Sequence, residues 1–372
     1  MKKMLVFMIC FLSSCGNISA ESIFDSNIYM IGSYSIERNF RSYYYKVGDL
    51  NVNHLPFPSI SDAGWISSIL KTKEKKLVII GDYNGQPFVY KIGESSINLL
   101  SIFENLKVSN VKGIYCNEKE LLYIYGQCYS SLSFPSNEAL DLYNSTAPHS
   151  FYYVLGNLEP NTIPNKVNAV NMSLSDATIY NDYIYFCGSY NVINDNISYA
   201  FYYREGEENI NMIPIPNNAI FICANAIAVY KEKIIIIGHY IDSNEKYIAY
   251  YYYLGDENIT IIPKNNNISG NSGLAITVVG DHAYVLGDCM SNNIRMCYYY
   301  KIGDSNITII PESENIYLNN AFNNSNDVYF AGNTWVDIPK LCYYKVGDNN
   351  INIIPPFRNI GQIQINDAKY IE

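Results

Sequence analysis

One stretch recurs along almost the whole sequence: an aromatic run, a Gly-Asp turn and an Asn-Ile-x-Ile-Ile-Pro segment, as in YYYKIGDSNITIIP at residues 298–311. The aromatic run ends in glycine seven times, at Gly48, Gly93, Gly156, Gly206, Gly255, Gly303 and Gly347. An apolar run that also ends in glycine precedes each copy, at Gly32, Gly81, Gly126, Gly188, Gly238, Gly287 and Gly332. Successive copies are 44 to 50 residues apart, except for a longer third repeat. Self-similarity at this period indicates a repeat architecture.

Each repeat predicts four strands, named a to d. Strand a is short and begins with small residues, as in 226–229; strand b is the apolar run, strand c the aromatic run, and strand d the Asn-Ile-x-Ile-Ile-Pro segment. The composition agrees, because 37 Tyr and only 16% charged residues favour strands over helices. Gly-Asp-x-Asn between c and d is typical of hairpin turns, since Gly and Asn tolerate positive φ. The proline that closes strand d lacks an N–H, so d is expected at a sheet edge.

Strands b and c are apolar or aromatic on both faces, as in IIIIG at 234–238 and YYYY at 250–253, so both faces must be covered. Four-stranded sheets stacked around an axis satisfy this requirement. Small residues in strand a suit the crowded centre of such a stack: Gly113, Ala177, Ala226, Ala275 and Ala321. The sequence therefore predicts an all-β fold, a seven-bladed β-propeller of four-stranded antiparallel blades. A linear β-solenoid is the alternative, although its repeats are usually shorter.

The two ends of the repeat region predict ring closure. The chain enters at a strand b, residues 28–32, without a preceding strand a, and it ends with GQIQINDAKYI at 361–371. This last segment is patterned as a strand a followed by the start of a strand b. We expect the C-terminal strand to complete the first blade, which makes residues 25–372 a single propeller domain.

The N-terminus predicts export. Lys2 and Lys3 precede a short apolar run, and the tetrapeptide Leu-Ser-Ser-Cys at 12–15 resembles the lipobox of bacterial lipoproteins. The resemblance implies a signal peptide at 1–15, cleavage before Cys15, acylation of its sulfur with palmitate or a related chain, and a location in the bacterial cell envelope. Residues 16–24 then form a polar tether, and the lipid supplies the only membrane contact. The alternative is an ordinary secretory signal cut near Ala20.

Residues 28–371 also look like bacterial envelope β-propellers in repeat length and number. The kelch, WD40, sialidase and quinoprotein-type repeat signatures are absent from the sequence. The resemblance therefore carries no family's functional residues onto this chain.

In a propeller, the b–c and d–a loops share one face, and here those loops are the long and variable ones, which predicts that this face binds the ligand. The largest b–c insertion is 129–150. The residue after every strand-b glycine is polar, and seven ligand-binding candidates follow: Ser33, Asp82, Gln127, Ser189, His239, Asp288 and Asn333. Trp65 and Trp335 could be ligand platforms. A polar and tyrosine-rich surface suits a protein or glycan partner, but the polar positions could also simply mark strand ends, and the tryptophans could pack.

A formal net charge of −10 argues against nucleic acid or an anionic membrane surface as partner. No nucleophile elbow, phosphate loop or dinucleotide fingerprint is present, and the four His are far apart in sequence, so neither a metal nor a cofactor is predicted. The leading prediction is a non-catalytic ligand-binding or scaffold lipoprotein, with no catalytic residue assigned. The competing class is an envelope carbohydrate-active hydrolase or lyase with carboxylates at the propeller axis; Asp82 and Asp288 could supply such a pair.

The sequence has nine Cys. Cys10 falls in the leader and Cys15 at the lipidation site, which leaves an odd number. Cys289 and Cys297 flank one b–c hairpin and are the best disulfide candidate for an oxidising envelope.

Overall fold

The computed structural model describes residues 28–36, 39–58, 64–74, 76–100, 106–116, 119–130, 149–164, 169–192, 197–334, 339–355 and 363–370. These residues form 28 β-strands and no helix. Within the same ranges, no helix is therefore long and apolar enough to cross a membrane. The all-β prediction is confirmed.

The strands follow one another in sets that correspond to the repeats. The first half contains β1 (Ile28–Ile36), β2 (Asn39–Lys46), β3 (Asn53–His54), β4 (Gly64–Lys71), β5 (Leu77–Tyr83), β6 (Gln86–Lys91), β7 (Asn98–Leu99), β8 (Leu106–Cys116), β9 (Leu121–Ser130), β10 (His149–Val154), β11 (Asn161–Thr162), β12 (Ala169–Tyr180), β13 (Tyr183–Val192), β14 (Ser198–Arg204) and β15 (Asn211–Met212). The second half contains β16 (Ala219–Tyr230), β17 (Lys233–Asp242), β18 (Tyr247–Tyr253), β19 (Thr260–Ile261), β20 (Ile268–Val279), β21 (His282–Ser291), β22 (Ile294–Lys301), β23 (Thr308–Ile309), β24 (Ile316–Asn323), β25 (Val328–Thr334), β26 (Leu341–Lys345), β27 (Asn352–Ile353) and β28 (Ile363–Tyr370).

The described strands form five four-stranded sheets and one eight-stranded sheet. The eight-stranded sheet is β12–β15 and β16–β19 joined by a single parallel pair, Ser198 with Phe221, and each half has the predicted a–b–c–d order. The other neighbouring strands pair antiparallel. C-terminal β28 pairs with N-terminal β1, with Tyr29 opposite Lys369, so strands from the two ends of the chain share one sheet.

Apolar clusters connect each set of four strands to the next. Ile80 of β5 packs in one cluster with Phe151 of β10. Met30 of β1 packs in another with Tyr329 and Ala331 of β25. The first and last sheets are therefore held together by burial of apolar side chains in the same way as consecutive sheets are.

The glycine that ends the apolar run of every strand b lies opposite a bulge in strand a. One residue of strand a is extra at this point: Ser67, Ser175, Asn225, Leu274, Asn319 and Asn366. In β8, Asn110 and Val111 together stand opposite the single residue Gly126, which is again one extra residue. A bulge turns the local backbone, and a Cβ on Gly238 would lie well inside van der Waals contact with Cys223 O. The bulge in strand a therefore explains the repeated glycine in strand b.

The repeated tyrosines of strand c have two separate tasks. The hydroxyls of Tyr43, Tyr250 and Tyr298 each donate to a bulge carbonyl at 3.0 Å. The tyrosine three residues before the turn glycine donates instead to the turn itself, as from Tyr300 OH to Asp304 O at 3.1 Å. All seven turn glycines have positive φ, between 85° and 103°, as the Gly-Asp-x-Asn pattern predicts.

Three predicted strand lengths are wrong. Strand b runs beyond its glycine, since β17 ends at Asp242 and not at Gly238. Strand a is not short, since β12, β16 and β20 each have 12 residues. Strand d is shorter than predicted, since only two residues pair in each copy, as in Thr308–Ile309. A proline follows strand d in six of the seven repeats. Proline cannot donate to a ladder, and strand d lies at the sheet edge as expected.

Candidate functional site

A cavity of about 500 Å³ lies between the β16–β19 and β20–β23 strands. Its wall includes Lys246 and Tyr247 at the b–c hairpin of one set, Arg295 from the hairpin of the other, and Ser269 to Ser272 near the start of β20, after a d–a loop. The b–c and d–a segments thus meet here, as predicted for one face. The volume is within the usual range for small-molecule sites. We call this the loop-face cavity.

The loop-face cavity brings together two of the predicted ligand-binding residues, His239 of β17 and Asp288 of β21. They come from neighbouring sets of strands and are 49 positions apart in the sequence. Both follow a strand-b glycine, so the repeat itself places them at equivalent levels of adjacent sheets.

The His239 ring is held by neighbours on several sides. Its centroid lies 5.4 Å from the Tyr247 ring and 5.9 Å from the Phe221 ring. Asn225 Nδ2 donates to Gly273 O and lies 3.2 Å from His239 Nδ1. Because an amide nitrogen can only donate, Nδ1 is the acceptor, and the proton of the neutral imidazole is on Nε2. Burial lowers the pKa of His239, and the negative charge of Asp288 offsets part of that effect. The imidazole is therefore neutral at neutral pH, and its Nε2 lies 3.6 Å from Cys223 Sγ.

The Cys223 thiol, beside His239 at 3.5 Å, does not form a catalytic dyad with it. Burial raises the pKa of Cys223 to about 12. Because the thiolate is the nucleophile in cysteine chemistry, the protonated Cys223 thiol is inert. The Cys223 thiol therefore packs against the His239 ring and helps to position it.

Asp288 is occupied by partners from both sides. Ser272 Oγ donates to Oδ1 and the Arg295 guanidinium pairs with Oδ2. Arg295 also lies over the Tyr317 ring, 4.7 Å from its centroid, which holds the guanidinium by a cation–π contact. The Asp288 carboxylate and the Tyr317 ring thus orient Arg295, whose side chain is 48% exposed.

Asn271 contributes a buried amide to the same wall and is 2% exposed. Its Oδ1 accepts from Ala249 N at 3.2 Å, which fixes the amide orientation because a backbone N–H can only donate. Among the described residues, Asn271 Nδ2 meets no hydrogen-bond acceptor. The Asn271 amide lies beside the Tyr298 hydroxyl, which donates to Ser272 O and keeps lone pairs that can accept. Burial raises the pKa of Tyr298, and Asn271 lowers it by a smaller amount.

Two predicted ligand-binding residues instead connect neighbouring sheets. Gln127 Nε2 donates to Met172 O at 2.7 Å. Asn333 donates to Ile363 O and accepts from Ile365 N, both at 2.9 Å, so it ties β25 to the C-terminal strand. Both side chains are buried, at 5% and 7% exposure, and their polar atoms are already used within the protein.

The other described candidates lie apart from the loop-face cavity. Trp65 and Asp82 are direct cross-strand neighbours; Trp65 is 47% exposed, and burial raises the pKa of Asp82 to about 6. Ser33 is buried and Ser189 is half-buried. Asp288 lines the loop-face cavity but Asp82 does not, so these two carboxylates do not meet there.

Several predictions fall outside the described residues. These are the leader with Cys15, the tether at 16–24, Trp335, and the central part of the 129–150 insertion.

Cys289 and Cys297 are both described, and both are free, buried thiols. The register pairs Cys289 with Met296 and Asp288 with Cys297, which puts the two sulfurs on opposite faces of the sheet and in different apolar clusters. The predicted disulfide is therefore absent from this structure.

A second cavity, of about 310 Å³, is lined by one stretch from each of β4, β8, β12, β16, β20, β24 and β28. We call it the axial cavity. Its wall contains all five of the small strand-a residues predicted for the centre. It also contains two carboxylates, Asp176 and Asp367, and burial raises the pKa of both.

The axial carboxylates are held by backbone amides. Asp176 accepts from Ala177 N and Ile227 N, at 2.9 and 3.1 Å, and Asp367 accepts from Ala368 N and Ile69 N, at 2.8 and 2.9 Å. Each carboxylate therefore bridges two neighbouring inner strands. Within the described ranges, no group of three or more His, Cys, Asp or Glu could hold a metal ion.

Sequence reasoning missed Arg295, Asn271 and Tyr247. None of them follows a strand-b glycine, so the repeat pattern does not mark them. Arg295 had one available signal, as a positively charged residue in a b–c hairpin of an acidic protein.

No protein-family model matches the sequence, and no curated protein matches it significantly. Solved structures do resemble the fold. A puromycin-hydrolysing peptidase of Mycobacterium tuberculosis aligns with a TM-score of 0.55 at 9% identity, over 90% of this chain and 55% of its own. A prolyl endopeptidase aligns with a TM-score of 0.53 at 9% identity, over 97% of this chain and 54% of its own. This chain thus spans about half the length of those two proteins.

A family PL25 polysaccharide lyase, an ulvan lyase solved with bound -[GlcA(1-4)Rha3S]-, aligns over nearly the full length of both chains. The TM-score is 0.51 at 12% identity, covering 93% of this chain and 92% of the lyase. At such identities these likenesses concern the fold alone. Together with the four-stranded antiparallel sheets, they establish a β-propeller-like all-β fold.

Proposed function

We propose that the described sheets form a closed, seven-bladed propeller within a single domain at 25–372. Three observations support this arrangement: the axial cavity has a wall segment from every strand a, β28 pairs with β1, and one apolar cluster joins the first and last sheets. A linear solenoid would leave its end sheets unpaired with one another.

We further propose that the protein is a lipoprotein of the bacterial cell envelope, anchored through Cys15. The support is the leader pattern at 1–15, and two or more acyl chains are enough for stable anchoring. Radiolabelled palmitate should be incorporated by the wild-type chain and not by Cys15→Ser. Equal labelling of both would rule out this anchor.

We propose that this protein binds a carbohydrate, without catalysing its cleavage, in the loop-face cavity. The observation that carries this proposal is the composition of the wall: the exposed Tyr247 ring lies beside the fixed polar groups of His239, Asn271 and Arg295. Sugars present apolar C–H faces that pack on aromatic rings and hydroxyls that bond to planar polar side chains, so this combination suits them.

The state of the polar groups favours binding over catalysis. The Asp288 carboxylate is already engaged by Ser272 and Arg295, and the Cys223 thiol is protonated. Neither is available as base or nucleophile in the free protein.

A glycan-array screen of the purified protein tests the proposal, followed by titration calorimetry of any ligand found. His239→Ala should weaken binding by about tenfold or more, as expected for loss of a ring contact and a hydrogen bond. His282→Ala is the matched control, because His282 is exposed at the a–b end of β21. Equal effects of both changes, or no glycan bound at all, would refute the proposal.

The alternative function is a carbohydrate-active hydrolase or lyase with carboxylates at the propeller axis. Asp176 and Asp367 are the residues that favour it, since the axial cavity holds both and the pKa of each is raised. Against it, each carboxylate already accepts two backbone N–H groups. Release of reducing sugar from a bound oligosaccharide, abolished by Asp176→Asn, would favour this alternative.

A further inference from the structure

The residue that follows each bulge of strand a occupies one repeat position in the wall of the axial cavity. It stands opposite the residue that precedes the strand-b glycine, as Asp176 stands opposite Cys187 and Ala275 opposite Leu286. Seven residues occupy this position, and all of them line the axial cavity: Ser68, Lys112, Asp176, Ala226, Ala275, Asn320 and Asp367. Because the backbone pairing is equivalent at all seven, the side chain decides what is bonded there.

The two aspartates at this position join neighbouring strands in the same way. Asp176 accepts from Ala177 N of its own strand through Oδ1, at 2.9 Å, and from Ile227 N of the next strand a through Oδ2, at 3.1 Å. Asp367 makes the same two contacts between β28 and β4. Two backbone N–H groups from consecutive strands a therefore bind one carboxylate, and the protein uses this arrangement twice for its own side chains.

The backbone N–H of Ile276 in β20 points away from its own sheet. A two-residue turn joins β20 to β21, so Val279 and His282 are the hydrogen-bonded pair that closes this hairpin. Bonded and non-bonded pairs alternate along an antiparallel ladder, which makes Ile276 and Val285 a non-bonded pair. The N–H of Ile276 is therefore directed toward the axial cavity, as is the N–H of the equivalent Ile227.

Ala321 of β24 is in the equivalent position, opposite Phe330, and Ala275 stands where an aspartate would join Ala321 N to Ile276 N. A methyl group cannot accept a hydrogen bond. Among the described residues, the side chains that accept at this level are bonded to other N–H groups: Ser68, Asp176 and Asp367. Ala275, Ile276 and Ala321 are half-buried, so a small molecule in the cavity can reach both N–H groups.

The charged side chains of the axial cavity wall balance. Lys112 and Lys369 each lower the pKa of Asp176 and of Asp367 against the larger effect of burial, so the two positive charges act on both carboxylates. A ligand with one negative charge thus meets a wall of no net formal charge, whereas a dianion would add twice as much negative charge beside the aspartates. The volume of about 310 Å³ is enough for a small acid.

We propose that the axial cavity binds a small monocarboxylate, with one oxygen accepting from Ile276 N and the other from Ala321 N. The ligand supplies between β20 and β24 the carboxylate that Asp176 and Asp367 supply between other strands. A carboxylate suits this place because its two oxygens can serve two donors on different strands. Two such bonds to a small ligand correspond to binding in roughly the millimolar range. This site does not depend on carbohydrate binding in the loop-face cavity.

The test is a titration with sodium acetate of protein labelled with ¹⁵N in isoleucine and alanine, followed by NMR of the backbone amides. The amide protons of Ile276 and Ala321, assigned through Ile276→Val and Ala321→Gly, should shift downfield and saturate, because each donates to a carboxylate oxygen. The Ile227 amide is already bonded to Asp176, so it is the internal control and should not shift. Sodium chloride at the same concentrations separates carboxylate binding from a general effect of salt.

Two substitutions exchange the residue types at this repeat position. Ala275→Asp places the carboxylate on the chain itself, so the Ile276 and Ala321 amides should be shifted without acetate and should no longer respond to it. Asp176→Ala removes a carboxylate, so the Ile227 amide should become responsive to acetate. Asn326→Asp adds the same charge as Ala275→Asp at an exposed turn residue outside the cavity, and should respond as the wild type does.

The wild-type titration decides the proposal even where a variant fails to fold. If the Ile276 and Ala321 amides do not shift at acetate concentrations far above the millimolar range, or shift equally with chloride, the inference is wrong. An undiminished response in folded Ala275→Asp, or no response of Ile227 in folded Asp176→Ala, would also contradict it. A saturable shift of these two amides that Ala275→Asp removes would establish the site.

Discussion

At the residue scale, the glycines of the repeat are required for two different reasons. Gly303 has φ of +103°, and a Cβ there would meet nothing within 4 Å, so its requirement is conformational. A Cβ on Gly238 would clash with Cys223 O beside the bulge, so the requirement for glycine there is steric. The turn pattern in the sequence already explains Gly303, whereas the steric requirement at Gly238 becomes visible only from its neighbour in strand a.

Substitution of these two glycines should show the difference. We expect Gly238→Ala to lower the free energy of unfolding by about 3 kcal/mol, because the bulge must move to admit a methyl group. Gly303→Ala should cost about 1–2 kcal/mol through backbone strain alone. Urea denaturation followed by fluorescence measures both values. A larger loss for Gly303→Ala than for Gly238→Ala would contradict the steric explanation.

The half-buried carboxylate of Asp82 predicts a pH effect at the same scale. Its pKa is raised from 3.8 to about 6, so the folded protein retains this proton where the unfolded chain loses it. The unfolding free energy should therefore fall as pH rises from about 4 to about 6, by roughly 1–3 kcal/mol. Asp82→Asn should remove that fall, while Asn replacement of the exposed Asp281 should not. Parallel pH curves for wild type and Asp82→Asn would exclude this contribution.

At the element scale, the strands that the sequence predicted best were those with the strongest repeat. Strand b and strand c appear in every set, and the turn glycines between c and d have the expected φ. Strand a was predicted too short because its pattern is interrupted by the bulge, which shifts the alternation of side chains by one residue. Strand d was predicted too long because an apolar segment does not reveal how many of its residues pair.

The polar residues that follow the strand-b glycines show the limit of an element-level prediction. They occupy one repeat position, yet His239 and Asp288 line a cavity, whereas Gln127 and Asn333 bond to neighbouring strands. What differs is the partner that the adjacent sheet presents to each side chain. Sequence periodicity specifies the face of a strand but not that partner.

At the scale of the whole molecule, the C-terminal strand connects more than one sheet. β28 pairs with β1 along its length. Ile363 O of β28 accepts a hydrogen bond from the Asn333 amide, and the Asp367 carboxylate accepts one from Ile69 N of β4 at 2.9 Å. Ile365 and Ala368 are also buried in the cluster shared with β25. Pairing, hydrogen bonding and apolar burial therefore all converge on this strand.

Deletion of residues 361–372 should abolish cooperative unfolding, because it exposes the β1 edge and opens the apolar cluster between the first and last sheets. Circular dichroism and calorimetry would measure the loss. Deletion of 371–372 alone, which leaves β28 intact, is the control and should have little effect. A cooperative transition of near-normal midpoint in the longer deletion would count strongly against ring closure.

The sequence by itself determined the repeat, the strand types, the turns and the presence of a C-terminal strand, since these follow from local backbone preference and from the alternation of buried side chains. Only the tertiary structure decided which polar residues form a site. Asn271, Arg295 and His239 come together because neighbouring sheets approach at the loop face, and that approach depends on the packing of bulged strands around the axial cavity. Such packing is a property of many side chains together, and no single repeat encodes it.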